Sequence, residues 1–279
     1  MTSFIGWIGV DSRGPASIYL ASDSRISWGS PTVWDSARKL FASVRYPELL
    51  GYIGDVLFPS QILGQIVDLI DSDVLFGIDD SHEEKWQRFS TQINDSFASY
   101  PREKGRSFTV VYATRQGSGV SSVFHLATIS WDPSAGWSQQ WVVLPTTSGL
   151  ITALGSGAES VEKWYSRWSR TGQAGTSRSV FSAFCDSLFS REDPYTGGPP
   201  QLVGIYRIGA ARTFGVIYTG QANVLGLPAR ALGTLQSIEW RNSLFERCDG
   251  TTGQRLQSAQ RQPAPSGLGR EASRDARKP

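Results

Sequence analysis

Thr2-Ser3-Phe4-Ile5-Gly6-Trp7-Ile8-Gly9-Val10 is the stretch on which the reading of this chain turns. Its aromatic and β-branched residues predict a strand beginning at about residue 3, and Asp11-Ser12-Arg13-Gly14-Pro15 closes it with turn residues. Ala16 to Ser22 reads as the returning strand of a hairpin and runs directly into Asp23-Ser24-Arg25. A sheet that starts this early holds Thr2 in a fixed place, which a catalytic atom needs before its reactivity counts. Cleavage of the Met1–Thr2 bond would leave a hydroxyl and a free α-amino group on one residue. The hydroxyl is a poor nucleophile at neutral pH, but an amine titrating near pH ~7.7–8.0 can accept its proton. No histidine is then required. The chain has only His82 and His125, so a Ser-His-Asp hydrolase has few candidates for its base.

Working outward, Lys39-Leu40-Phe41 and Leu49 to Gly54 suggest a second hairpin. Apolar residues at helical spacing predict helices over Pro59 to Ile70 and Glu83 to Ser99. Strands are expected at Phe108 to Thr114, Val123 to Ile129 and Trp141 to Leu144. Two more helices follow at Ala158 to Trp168 and Val180 to Phe189, then strands near Leu202 to Arg207 and Phe214 to Thr219. Strands, a helix pair, strands, a helix pair and strands make an α+β chain. Layer logic turns that order into a four-layer αββα sandwich, two mainly antiparallel sheets face to face with a helix pair outside each.

With 279 residues, 39% of them hydrophobic, the chain can bury one substantial core of about 220–250 residues. The expected domain is 2–248. From Asp249 onward the composition turns to Gln, Pro, Gly, Ser, Ala and Arg, so 249–279 is expected to be a disordered basic tail. The net charge of +2 is too small to point to nucleic acid, and six Lys/Arg after Thr251 account for it. Cys185 and Cys248 are too few for a disulfide framework. No Lys or Arg precedes Arg13 and no apolar run approaches ~18 residues, so neither a secretory leader nor a membrane span is expected, and a cytoplasmic location is. The ten tryptophans are scattered, as core and interface packing would scatter them.

Six blocks then carry a resemblance: Thr2-Ser3-Phe4-Ile5-Gly6, Ala21-Ser22-Asp23-Ser24-Arg25, Arg38-Lys39-Leu40-Phe41, Gly54-Asp55, Gly155-Ser156-Gly157 and Asp193-Pro194-Tyr195-Thr196-Gly197-Gly198. In this order and spacing, over about residues 2–220, the chain resembles proteasome β-type subunits, N-terminal-nucleophile hydrolases of αββα fold. The resemblance implies a threonine-type peptidase with Thr2 as nucleophile and its own amine as base. Lys39 would be the neighbouring cation that disfavours protonation of the amine, and Asp23 the carboxylate that holds it. Gly54 would offer its N–H to the oxyanion, and Ser156, Asp193 and Thr196 would surround the amine. At the last of these positions the family often has Ser, and Thr retains the hydroxyl.

The same resemblance implies peptide or unfolded-protein substrates, self-compartmentalising homo-oligomeric rings, and no metal or organic cofactor. It leaves open whether an ATP-dependent unfoldase feeds them. Strand alternation places Tyr52 on the side of Gly54, against the substrate pocket or, equally, in the sandwich core. Two stretches depart from the family: the Asp11 to Ser17 turn is about five residues longer, and the loop containing Tyr46-Pro47-Glu48 is about one longer, which makes specificity less transferable than mechanism. Two rivals stand beside this reading. One is an amidase or acylase for small molecules using the same Thr2 chemistry. The other is a catalytically silent ring subunit of the α type, whose extra helix ahead of the first strand has no counterpart here.

Overall fold

The computed structural model describes residues 2–28, 32–77, 79–101, 105–229 and 238–259. The opening hairpin is β1 (Phe4–Asp11) and β2 (Gly14–Ser22), joined by a two-residue turn after which Gly14 takes φ +101°. Arg207 clamps that turn through Asp11 Oδ2 at 2.6 Å and Gly14 O at 2.7 Å. Among the described residues, short β3 (Ile26–Ser27) and β4 (Val33–Trp34) form a two-stranded sheet of their own. Then come β5 (Leu40–Ala42), β6 (Glu48–Gly54), α1 (Leu57–Asp71), α2 (His82–Ala98), β7 (Phe108–Gln116), β8 (Val123–Asp132), β9 (Gly136–Trp141) and β10 (Gly149–Leu154). The chain continues through α3 (Ala158–Trp168), α4 (Ser177–Ser190), β11 (Gln201–Tyr206), β12 (Arg212–Tyr218), β13 (Gln221–Val224), β14 (Leu227–Pro228), β15 (Trp240–Asn242) and β16 (Arg247–Cys248).

The protein is thus mixed α and β, and its ladders are antiparallel apart from the parallel pair β12–β15. One sheet runs β10-β1-β2-β11-β12-β13-β14, with β15 and β16 branching from β12; the other runs β5-β6-β7-β8-β9. Period-2 alternation sorts their side chains between packing layers. In β2, Tyr19 and Ala21 pack with Val161, Phe181 and Phe184 of α3 and α4, while Ile18 and Leu20 turn the other way and meet Leu40, Leu49, Val111 and Leu126 of the second sheet. That sheet's opposite face presents Leu50, Tyr52, Val110 and Tyr112 to Ile62, Ile66, Phe89 and Ile93 of α1 and α2.

Local chemistry places the helix ends. Ser81 caps α2 by accepting from the Glu84 N–H, and the Glu84 carboxylate accepts from the Ser81 N–H at 2.8 Å, a reciprocal box of about 1 kcal/mol. α4 starts at Thr176, whose hydroxyl accepts from the Ser179 N–H at 3.2 Å. Trp168 is fully buried and donates to Asp186 Oδ2 at 2.8 Å, tying α3 to α4. A polar pair also lies inside the α1–α2 layer. Glu48 Oε1 accepts from Lys85 Nζ at 2.9 Å and Oε2 from Tyr112 Oη at 2.7 Å, with Glu48 wholly buried. Burial pushes this carboxyl up against the pull of Lys85.

Three expectations change. Glu48 opens β6 rather than lying in the preceding loop. The strand expected at Trp141 to Leu144 lies at Gly136–Trp141; Val142 still donates its N–H to Leu126 O at 2.8 Å, and Val142 and Leu144 pack between the sheets. The boundary drawn at 248/249 falls inside folded chain: Leu256 N–H donates to Arg247 O at 2.9 Å, Asp249 N–H to Gln254 O at 2.8 Å, and Cys248 bridges to Arg255. The expectation for 260–279 lies outside the described residues. Cys185 and Cys248 are both buried thiols. Among the described residues no helix is long and apolar enough to cross a membrane.

Candidate active site

The β1–β2 hairpin pairs Phe4 with Ser22, so the residues just outside that register, Ser3 and Asp23, face each other at the sheet's end. They lock reciprocally: the Asp23 N–H donates to Ser3 O at 3.0 Å and the Ser3 N–H to Asp23 Oδ1 at 3.0 Å. Thr2 is thereby held next to the Asp23 carboxylate, and Thr2 is 2% exposed. From the other sheet, Lys39 enters immediately before β5. Its Nζ lies 2.7 Å from Asp23 Oδ1 and 3.2 Å from Thr2 Oγ1, to which it donates.

Asp23 and Lys39 are 0% and 1% exposed, so this ion pair is out of water. Isolated burial of either charge would cost several kcal/mol, and what offsets it is saturation of the carboxylate. Besides Lys39 and the Ser3 N–H, Asp23 Oδ2 accepts from the Arg25 N–H at 3.2 Å and the Gly197 N–H at 3.1 Å. Arg25 itself turns outward, forking onto Asp35 at 2.7 and 2.9 Å and donating to Pro194 O at 3.0 Å.

The turn between β10 and α3 closes on Thr2 from the side. Gly157 N–H donates to Thr2 O at 3.2 Å. Gly155, at φ +85°, lies so close that a β-carbon there would sit 2.1 Å from Thr2 O and 3.2 Å from the Ile53 methyl. This contact brings the end of β6, and with it Gly54, beside the Thr2 segment. Gly54 has φ +93°, and a β-carbon on it would meet Ser107 O at 2.4 Å, so both backbone and space exclude a side chain.

Ser156 is exposed in the same turn, between the two glycines that touch Thr2 and Ser3. Thr196 is buried, its hydroxyl donating to Asp193 O at 3.3 Å, and its methyl would stand 3.2 Å from a β-carbon on Gly157. Asp193 accepts from the Tyr195 N–H at 2.9 Å through Oδ1, while Oδ2 is buried with no hydrogen-bond partner among the described residues. Thr2, Asp23, Lys39, the 155–157 turn and the 196–197 loop therefore converge. Tyr52 lies in the core: it is 1% exposed, packs in the α1–α2 layer and donates its hydroxyl to Arg38 O at 3.1 Å.

Gln201 escaped the sequence reading. It is fully buried, and its amide joins the backbone around Lys39 to that around Asp23. The signal that could have found it was a long polar side chain opening an apolar strand, directly after Pro199-Pro200.

No protein-family model matches the chain, and no curated protein matches it. Among solved structures it is similar to the crystal structure of eukaryotic HslV from Trypanosoma brucei, at 12% identity over 73% of this chain and 99% of that one, with a TM-score of 0.44. It is also similar to a mutant of Anbu from Hyphomicrobium sp. strain MC1, at 13% identity over 76% of this chain and 86% of that one, with a TM-score of 0.48. Similarity at this level assigns neither activity nor assembly.

Proposed function

We propose that this chain is a threonine-type N-terminal-nucleophile peptidase on a four-layer αββα sandwich, working from Thr2 inside homo-oligomeric rings. The observation that carries the reading is the Lys39 ammonium, shared at 2.7 Å with Asp23 and at 3.2 Å with Thr2 Oγ1 in a water-free corner. A surface lysine has no reason to be there. The three apolar layers, helix pair on sheet, sheet on sheet and sheet on helix pair, support the architecture.

Cleavage of the Met1–Thr2 bond frees the amine. The Thr2 hydroxyl gives its proton to that amine as its oxygen attacks the scissile carbonyl carbon, and the carbonyl π electrons move onto oxygen. The Gly54 N–H faces this oxyanion, an interaction worth on the order of 2.7–4 kcal/mol where such donors have been removed. Collapse expels the leaving amine, which takes the proton back from the Thr2 ammonium. Water then cleaves the acyl ester by the same proton path. Lys39 keeps the amine deprotonated and stabilises charge on Thr2 Oγ1; Asp23 fixes Lys39. Asp193 Oδ2, buried and unpartnered among the described residues, is an acceptor of the kind a free amine requires, and Thr196 and Ser156 complete its surroundings.

Substrates are peptides or unfolded segments, and an ATP-dependent unfoldase is a compatible partner. Exposed Trp28 and Trp34, 66% and 50% accessible, support contacts with further copies. The thiols of Cys185 and Cys248 fit a cytoplasmic setting. The test combines intact mass, fluorogenic peptides and small amides, and a threonine-directed electrophile. A wild-type chain beginning at Thr2 should cleave peptides and take up one adduct. Thr2→Ala should do neither, and a fully active Thr2→Ala would sink the reading. Native mass spectrometry should find particles many times the chain mass, and monomer alone at micromolar concentration counts against rings.

A further inference from the structure

We propose that Gln201 is a positioning residue that sets the Lys39 ammonium against Thr2, a role that rests on the Thr2 reading above. Gln201 opens β11 and pairs in register with Ser22, one residue from Asp23. Its side chain crosses from that sheet to the segment entering β5. Oε1 accepts from the Lys39 N–H at 2.9 Å and the Leu40 N–H at 3.3 Å. Nε2 donates to Ala37 O at 2.7 Å, Ser24 Oγ at 3.0 Å and Asp23 O at 3.2 Å.

These partners fix which end of the amide is which. Two backbone N–H groups need the oxygen, and two backbone carbonyls need the NH₂. Ser24 is committed in turn, because its hydroxyl donates to Pro199 O at 2.6 Å and so must accept from Gln201. The amide thus grips the main chain on both sides of Lys39, at Ala37 and Leu40, and the main chain of Asp23. A single neutral group holds the cation-bearing and carboxylate-bearing segments at one separation across two sheets.

The separation matters because Lys39 Nζ lies 3.2 Å from Thr2 Oγ1, at the long end of hydrogen-bond range, so that a backbone shift at Lys39 weakens the contact. Displacement of a catalytic group by about 1 Å costs on the order of 100-fold in rate. Gln201 touches neither Thr2 nor a reacting atom, so its effect passes wholly through Lys39 and Asp23. That route leaves a particular trace. A cation moved away from the Thr2 amine no longer depresses the amine's pKa, so the acid limb of activity moves to higher pH.

The experiment uses the full chain with Gln201→Met, which keeps length and volume without hydrogen bonds, and Gln201→Glu, which keeps the acceptor but loses the donor. A threonine-directed electrophile titrates competent sites, so that rates are per site. For either variant that folds, the acylation rate per site should fall roughly 10–100-fold with KM changed by less than about threefold, and the acid limb of kcat/KM should shift upward. Wild-type rate and pH profile per site, with only fewer competent sites, would overturn the positioning role while leaving the Thr2 reading intact. Undiminished hydrolysis by Thr2→Ala would overturn both.

Discussion

Lys39 Nζ and Asp23 Oδ1 stand 2.7 Å apart where neither side chain is more than 1% exposed. Breaking such a pair is costlier than never having built it, since the survivor keeps its desolvation without its partner. Asp23→Ala should lower unfolding free energy by about 3–5 kcal/mol in chemical denaturation. Removing both charges, in Asp23→Leu with Lys39→Met, should recover part of that loss. Full recovery is not expected, because the Ser3, Arg25 and Gly197 N–H groups would still lack their acceptor. Neither variant should hydrolyse peptides. A double variant less stable than Asp23→Ala would show that the pair is not what the site's stability depends on.

Gly155 is the tightest steric point against Thr2. With φ +85° and Thr2 O only 2.1 Å from where a β-carbon would go, Gly155→Ala must move one segment or the other. Backbone strain alone costs about 1–3 kcal/mol, and the displaced Thr2 should acylate far more slowly. Ser156→Ala, in the same turn but exposed, should cost little stability. Thermal midpoints and electrophile labelling of the two variants, side by side, check both statements.

Acidification should weaken the fold at a place remote from Thr2. The His125 ring stacks on His82 with centroids 3.6 Å apart, and desolvation, helped by His82, lowers its pKa from 6.5 to about 4, against a small opposing pull from Glu83. Between those values the unfolded chain binds a proton that the folded ring refuses, so stability falls as pH drops through that window. Solvent on the ring's open side trims the loss to about 1–2 kcal/mol. His125→Phe should flatten that slope in denaturation at stepped pH; an unchanged slope would place the titrating group elsewhere.

Truncations separate the folded end of the chain from the remainder. Ending the chain at Gly250 removes the Leu256 and Gln254 backbone bonds and the Arg255 bridge, and should cost about 1–2 kcal/mol. Ending it at Ala259 keeps them. Beyond that point Leu268 is the sole large apolar side chain, so the denaturation midpoint of the 1–259 truncation should match that of the full chain.

Much of this was legible where periodicity is strong and a face is buried. The β1–β2 hairpin and α3 fall where alternation and helical spacing put them, and the block order placed Thr2, Asp23 and Lys39 at one corner. Trp141 to Leu144 misled because its apolar run does not share one buried face, Val143 being 92% exposed; the ladder runs over the more polar Gly136–Trp141 stretch. β10 was missed since its residues are only half-buried, which blurs alternation. For Gln201 the local pattern offered only a polar side chain at the head of an apolar strand; its importance comes from five partners distant in sequence or on another sheet.

Glu48 has a consequence for how the second sheet assembles. Its carboxylate is satisfied on one face only, by Lys85 of α2 and Tyr112 of β7. A one-residue slip of β6 would swing it into the space between the sheets, among Leu40, Val111 and Leu126, where only apolar groups wait. Gly51 adds a steric check on the same slip, since a β-carbon at its place would lie 2.5 Å from the Phe4 ring and 2.8 Å from a Leu40 methyl. The buried charge and the bare glycine together act as a keying pin: they favour the native register over its neighbours, and so bear on where Gly54, at the far end of the same strand, arrives beside Thr2.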